Sequence, residues 1–230
     1  MIIDAKNLSY IEINEIIKNS KEEKITLENL EGKRYIASKI KNKKLILRGN
    51  LGSKLGKELE KTDIFLYGNC EDAIGDSMKS GKIVVNGNCG DALGYSMQGG
   101  KIFVKGNAGY RVGINMTQER DNASSVIIIG GSVGDFLGES QKNGKIIVLG
   151  LNSDECPVGN YCASEINGGT IYIRSKRKPE ELFNDAKCEE LKNGLEIENY
   201  LKEFSEEFQV NFDELINSKY FKISSNKKLL

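Results

Sequence analysis

The chain has 230 residues, of which 39% are apolar, so it is long enough to bury a core and is expected to fold. Its 33 Lys and Arg residues balance 33 Asp and Glu residues, and a formal charge of zero provides no field that would attract nucleic acid or an anionic membrane. It contains no histidine, which excludes Ser-His-Asp and Cys-His catalysis and the usual histidine-containing zinc sites.

Residues 1–44 are predicted to be a lead-in region that caps the rest of the fold. Residues 14–20 are typical of a short helix and residues 21–30 of irregular or strand structure. Asp4 and Lys6 stand where a secretory signal needs its apolar core, and no apolar run approaches the ~20 residues of a membrane-spanning helix. We therefore expect a cytoplasmic protein, and the odd number of five cysteines agrees with a reducing compartment.

A repeat organises residues 45–175. An aliphatic strand precedes a glycine in each unit, and these strand-ending glycines are spaced by 19, 19, 19, 25 and 19 residues. A second glycine follows seven residues later in five units. We interpret both sets as structural turn glycines, because a turn repeated in every unit needs a positive φ or leaves no room for a Cβ. The first set is Gly49, Gly68, Gly87, Gly106, Gly131 and Gly150, and the second is Gly56, Gly75, Gly94, Gly113 and Gly138.

The aligned strands predict a β-helix, a solenoid of about six to seven coils whose period is 19 residues. Two aliphatic columns, two positions apart, would point inward. The column between them, which includes Val84, Phe103 and Ile128, would point outward and is also apolar, so it needs a cover. Residues 176–230 are predicted to form a linker and a helical tail, and the apolar residues at helical spacing in 195–208 would lie along this stripe.

The remaining patterns in the repeat are explained by structure rather than by chemistry. The glycine runs contain neither a G-x-x-x-x-G-K-[ST] loop nor a G-x-G-x-x-G that opens a helix, which disfavours nucleotide binding. Cys70 and Cys89, and the series Met78, Met97 and Met116, recur at 19 residues and are interpreted as buried stacks. We therefore assign no catalytic, cofactor-binding or metal-ligating residue.

Two insertions interrupt the repeat, at residues 117–125 and 151–160. Irregular loops on a regular scaffold are the usual place for binding, while an unconstrained surface loop is the alternative. The candidate partner contacts in these loops are Thr117, Glu119, Arg120, Asp154 and Glu155. Asp72, Asp91 and Asp135, which recur at one turn, are assigned to turn hydrogen bonds.

The run from Gly68 to Met116, followed by VIIIGGSVGDFLGE, IIVLGL and GGTIYIR, resembles the GXGXG domain that ends the large subunit of glutamate synthase. The resemblance extends to IDAKNLSYIEINEII and LKEFSEEFQVNFDELI and covers nearly the whole chain. It implies an all-β fold, a single-stranded right-handed β-helix with short N-terminal and C-terminal helices and no catalytic residues. Gln141 departs from the family pattern, because earlier units have Met there.

The resemblance implies a non-catalytic docking subunit of a glutamate synthase-like complex, which makes glutamate from glutamine and 2-oxoglutarate. Its partners would be a class II glutaminase subunit and a synthase subunit that holds FMN and an iron–sulfur cluster, and self-association is left open. One alternative is the related subunit of formylmethanofuran dehydrogenase, which shares the repeat, and another is a structural β-helix assembly protein outside nitrogen metabolism. A β-helix acyltransferase is disfavoured, because its six-residue repeat and histidine base are missing.

Overall fold

The computed structural model describes residues 1–117, 125–183 and 186–227. Within these residues the chain forms one sheet of eleven strands, together with three α-helices and a 3-10 turn at Leu195–Ile197. The strands are β1 (Ile2–Asp4), β2 (Lys24–Glu28), β3 (Lys44–Arg48), β4 (Thr62–Tyr67), β5 (Gly81–Val85), β6 (Lys101–Val104), β7 (Val126–Ile129), β8 (Lys145–Val148), β9 (Thr170–Arg174), β10 (Ala186–Leu191) and β11 (Tyr220–Ser225). The helices are α1 (Tyr10–Asn19), α2 (Glu198–Phe208) and α3 (Phe212–Ile216).

The sheet follows the order of the chain. Strands β1 to β9 pair in parallel, each with the next, while β11 pairs antiparallel with β9 and β10 pairs antiparallel with β11. Leu45 pairs with Ile64, and Ile64 with Ile83, so the predicted strand columns are confirmed. A unit that the glycine pattern did not reveal precedes them, because β2 pairs with β3 and places Ile25 beside Leu45.

The prediction of a right-handed β-helix is wrong. The described residues form one large mixed sheet, mostly parallel, and neither a solenoid nor a closed barrel. Each unit contributes one regular strand, and its remaining residues are turns in which three alternate positions have a positive φ, as at Ala73 (57°), Gly75 (66°) and Ser77 (57°). A backbone with that alternation cannot extend into another strand, so the units share only one sheet.

Two apolar clusters lie on the two faces of the sheet. The first is enclosed between the inward face and the turns, and it contains the fully buried series Met78, Met97 and Met116, which confirms the predicted stack. The second lies on the outward face, where α2 buries Leu201 and Phe204 against β5 to β9. The prediction that residues 195–208 cover the outward apolar stripe is therefore confirmed for these strands.

The helices are short amphipathic covers. Helix α1 begins earlier than the pattern predicted because Ser9 caps it, and the Ser9 hydroxyl and the Glu12 carboxylate form a capping box. It buries Ile13 and Ile17 in the first cluster. Helix α2 ends at Phe208, and its C-cap residue Gln209 has a φ of 55°, the left-handed conformation that is common where helices end. In the described part of the chain, no helix combines the length and apolar character needed to cross a bilayer.

Candidate docking surface

A ladder of asparagine side chains joins the turns of successive units. The Oδ1 of Asn50 accepts a hydrogen bond from the backbone N–H of Asn69 (3.0 Å). Asn69 accepts from Asn88, and Asn88 from Asn107, both at 2.8 Å. Each bond spans one 19-residue unit, so the turns are held to one another as regularly as the strands are.

The recurring aspartates form a second ladder beside the first. Asp72 Oδ1 accepts from the N–H of Asp91 (2.9 Å), and Asp91 Oδ1 accepts from the N–H of Tyr110 (2.8 Å). Asp135 does the same with the N–H of Asn160 (2.8 Å). These carboxylates are turn residues, as the pattern indicated, but they bond to the next unit rather than to their own turn.

The predicted turn glycines have two geometries. The set Gly56, Gly75, Gly94, Gly113 and Gly138 has φ between 65° and 71°. In the strand-ending set, Gly49, Gly68 and Gly150 have a positive φ, whereas Gly87, Gly106 and Gly131 do not. Space is the constraint at Gly87, because a Cβ there would lie 2.5 Å from the Asn69 Oδ1. The asparagine side chain of one unit therefore lies so close to the backbone of the next unit that only glycine, which has no Cβ, fits there.

The ordered turns present a row of side chains, which we call the turn row. Its members occupy the first of the three positive-φ positions in each unit, with φ between 54° and 67°. They are Tyr35, Lys54, Ala73, Ala92, Arg111, Phe136 and Tyr161. Non-glycine residues rarely adopt this conformation, so its recurrence in seven stacked units depends on the hydrogen bonds between units.

Aromatic and cationic side chains stack at both ends of the turn row. At one end the rings of Tyr10 and Tyr35 are 5.6 Å apart, and the Lys54 Nζ lies 5.6 Å from the Tyr35 ring. At the other end Arg111 lies 4.9 Å from the Phe136 ring, which stacks on Tyr161 at 5.1 Å. Exposed aromatic and arginine side chains on a rigid frame are typical of protein interfaces.

The aromatic end of the turn row opens into a groove. Tyr161 lies 6.0 Å from Phe183, and both rings are 42% exposed. The groove has a volume of about 390 Å³ and is lined by Tyr161, Glu180, Glu181, Leu182 and Phe183. Arg111 is held in place by Glu139, whose Oε2 lies 2.6 Å from its Nη1.

A buried carboxylate supports the middle of the turn row, where Ala73 and Ala92 leave it shallow. Asp76 is 6% exposed, and its Oδ2 lies 3.2 Å from the Lys57 Nζ and 3.9 Å from the Lys54 Nζ. The hydrogen bond to Asp76 raises the pKa of Lys57, so the Lys57 ammonium group stays charged at neutral pH. The two lysines balance the charge of the Asp76 carboxylate, so this cluster has a structural role and offers no group for proton transfer.

The residues of the two predicted contact loops lie in different surroundings. Glu119 and Arg120 lie outside the described residues, while the Thr117 N–H donates to the Met97 carbonyl oxygen (2.9 Å). Asp154 and Glu155 are exposed at the edge of a cavity of about 480 Å³ that Arg174 and Glu214 also line. Thr117 does not line that cavity.

The cysteines are protected rather than activated. Cys70 and Cys89 lie opposite each other in an isolated parallel β-bridge between neighbouring units, as their spacing predicted, and both are free thiols. Burial raises the pKa of Cys70 to about 12 and that of Cys89 well above its usual value. Burial also raises the pKa of Cys162, which is fully buried, and of Cys156 and Cys188, which are partly exposed. A nucleophilic cysteine needs a lowered pKa.

The described residues hold no group of three or more Cys, Asp or Glu side chains suited to a metal.

The turn row was missed in the sequence because non-glycine residues carry no mark of a positive φ. A signal was nevertheless present, since Phe136 stands five residues after the strand-ending Gly131 and two residues before Gly138, and Tyr35 and Tyr161 likewise stand two residues before the second glycine position of their units. Aligning that column would have revealed it.

Comparisons with known proteins agree with this architecture. The model of the GXGXG motif family matches residues 5–227. A chain in the crystal structure of the formyltransferase/hydrolase complex (FhcABCD) from Methylorubrum extorquens, determined with methylofuran, has a similar fold, with a TM-score of 0.64 and 16% identity. The alignment covers 95% of this chain and 89% of that one. No curated protein sequence matches significantly.

Proposed function

Because the chain belongs to the GXGXG motif family, which includes the C-terminal domain of the glutamate synthase large subunit, we propose that it is a non-catalytic docking subunit of a multi-subunit enzyme complex. The observation that carries this proposal is the turn row. It exposes Arg111 and Tyr161, which pack against the half-buried Phe136 ring, on turns that are fixed by hydrogen bonds to neighbouring units. Ordering such side chains in advance lowers the entropic cost of binding a partner.

The chemistry of the described side chains supports docking over catalysis. The thiol pKa values are raised by burial, and the buried Asp76 is neutralised by Lys57. Neither arrangement supplies a nucleophile or a general base near neutral pH. The exposed groups of the turn row are those that contribute most to protein–protein affinity when they are buried.

Among complexes, we favour one that transfers or hydrolyses a formyl group. This choice corresponds to the alternative drawn from the sequence, a chain like the related subunit of formylmethanofuran dehydrogenase. It is supported by the likeness of fold to a chain of the formyltransferase/hydrolase complex. The catalytic residues and any metal or cofactor would then belong to partner subunits, and this chain would hold those subunits together.

A glutamate synthase-like complex is the second candidate. The segments GYRVGIN and FLGE and the helix α2 favour it, because they resemble the domain of that enzyme more closely. In this case the partners would be a class II glutaminase and a synthase subunit with FMN and an iron–sulfur cluster.

Native purification of the tagged chain from its own cells, followed by mass spectrometry of bound proteins after a moderate-salt wash, tests the proposal. Recovery of formyltransferase or molybdenum or tungsten dehydrogenase subunits supports the favoured complex, while a glutaminase with an FMN synthase supports the second. A chain that purifies alone at native concentration contradicts the docking function. The double variant Phe136→Ala, Tyr161→Ala should weaken recovery at least tenfold, whereas Leu195→Ala, which removes an even more exposed apolar side chain elsewhere, should not.

A further inference from the structure

One column of side chains, apolar except at Thr26, runs along the outward face of the sheet from β1 to β9, and α2 covers only part of it. The strand pairings place its members in register: Ile2, Thr26, Ile46, Phe65, Val84, Phe103, Ile128, Ile147 and Tyr172. From Val84 to Tyr172 the column is buried beneath α2 and its neighbours. Toward the other edge Ile46 and Phe65 are only partly buried, and Ile2 is 72% exposed.

The covered half shows what this surface binds. Phe204 of α2 packs on the column, with its ring 6.0 Å from that of Phe103. Acidic residues of the same helix pair with a row of lysines beside the column: Glu207 lies 2.6 Å from Lys82, and Glu203 lies 2.5 Å from Lys101. The surface is therefore matched by an amphipathic helix that carries glutamates next to its apolar stripe.

The open half repeats both features. Lys24 and Lys44 continue the lysine row, because Lys24 pairs with Lys44, Lys44 with Asp63 and Asp63 with Lys82. Both lysines are exposed, and neither has an acidic partner within 4.0 Å among the described residues. The Lys44 Nζ lies 5.0 Å from the Phe65 ring, where it borders the apolar column as Lys82 borders Phe103. Asp63 is the one acidic residue in this stretch of the row.

We propose that this open sheet face, formed by Lys24, Thr26, Lys44, Ile46 and Phe65, docks an acidic amphipathic helix of a partner subunit. The apolar stripe of that helix packs on Ile46 and Phe65, and its carboxylates pair with Lys24 and Lys44. The three strands that carry these residues, spaced by ~4.8 Å, span ~10 Å, which a helix of ~7 residues crosses at 1.5 Å per residue. The inference rests on the proposed docking function and names the chemistry of one partner surface.

Other occupants fit less well. The helices of this chain are used elsewhere, since α1 packs in the first cluster and α2 and α3 in the second. A second copy whose lysine row met this one would oppose Lys24 and Lys44 to their own equivalents, and like charges across an interface are unfavourable. An acidic helix from a different subunit neutralises these lysines and covers the apolar column at the same time.

Photo-cross-linking in the native complex tests the inference. Ile46 is replaced by p-benzoylphenylalanine in the full chain, the complex is purified and irradiated, and the cross-linked segment is sequenced by mass spectrometry. We expect a partner segment with apolar residues at i, i+3 or i+4 and i+7, and Asp or Glu beside them. The variant Lys24→Glu, Lys44→Glu should reduce recovery of that partner at least tenfold, while the matched reversal Lys187→Glu on β10 should leave it unchanged. Equal urea midpoints for both variants show that folding is intact.

The outcomes separate the two proposals. If the wild-type chain recovers partners but position 46 gives no cross-link, or cross-links to a second copy or to a segment that is not acidic and amphipathic, the open-face inference is wrong and the docking function stands. Unchanged recovery by the double lysine variant has the same meaning. If the wild-type chain recovers no partner at all, the docking function itself fails.

Discussion

Gln141 occupies in one unit the place that Met116 occupies in the unit before, and both side chains are completely buried. The Gln141 Nε2 donates to the carbonyl oxygens of Asn143 (3.0 Å) and Gly144 (3.1 Å). Its Oε1 is buried without a hydrogen-bond partner in the described part of the chain. The methionine stack is thus continued by an amide that satisfies only its donors.

Gln141→Met should raise the free energy of unfolding by about 1 kcal/mol, because it removes an oxygen whose burial costs about 1–3 kcal/mol. The lost donors matter less, since the Gly144 carbonyl keeps the Thr170 N–H (3.0 Å) and Asn143 is exposed to water. Urea unfolding at constant slope measures the change. Met116→Gln is the matched control and should destabilise, because it buries an amide among apolar neighbours. A lower midpoint for Gln141→Met would show that the amide bonds outweigh the unpaired oxygen.

Phe204→Ala should lower the free energy of unfolding by about 3–5 kcal/mol, the usual effect of deleting a large buried aromatic ring. Glu203→Gln, which weakens the pairs with Lys82 and Lys101, should lower it by less than about 1 kcal/mol, because Glu203 and Lys101 are partly exposed. Chemical denaturation of both variants ranks the two effects. The ordering would be reversed if ion pairs rather than packing held α2 to the sheet.

Gly81→Ala should destabilise by about 3 kcal/mol, from the strain of a positive φ together with overpacking. Gly81 has a φ of 97°, and a Cβ there would lie 2.7 Å from the Thr62 backbone nitrogen. Gly32→Ala is the control, because its φ is also positive (67°) but nothing lies within 4 Å of the added Cβ. Its effect should be about 1 kcal/mol. Equal unfolding midpoints for the two variants would mean that conformation alone, and not the close approach of β4, selects glycine.

The thiols of Cys70, Cys89 and Cys162 should not react with a disulfide reagent at pH 8 in the native protein, since all three are buried. Cys156 and Cys188 are partly exposed and should react slowly. Absorbance of the released chromophore, counted before and after denaturation, distinguishes the two classes. Rapid labelling of four or five thiols without denaturant would contradict this assignment.

Stability should fall at alkaline pH because of Cys70. Its pKa is raised from 9.0 to about 12 in the folded protein, so between these values the unfolded thiol has lost its proton while the folded thiol keeps it. The folded state then binds more protons, and the free energy of unfolding falls as the pH rises, by up to about 1.4 kcal/mol per pH unit. In Cys70→Ala the slope of urea stability against pH above 9 should be shallower than in the wild type. Parallel slopes would show that Cys70 is solvated.

The sequence by itself determined the features that depend on spacing along one chain. The 19-residue period and the alternation within each strand predicted the column that pairs Leu45, Ile64 and Ile83 and the buried stack of Met78 and Met97. Helical spacing predicted that residues 195–208 cover the outward stripe. These patterns follow from the period of two residues in a strand and 3.6 in a helix, which hold wherever the element is placed.

The tertiary structure alone decided what happens between the strands. Hydrogen bonds between units hold Ala73 and Ser77 at a positive φ, and these turns leave one sheet where the period had predicted a β-helix. The same turns align Arg111 with Phe136, and the length and direction of α2 leave Ile46 and Phe65 without a full cover. Residue spacing does not encode these relationships, because each depends on contacts between residues that are 19 or more positions apart.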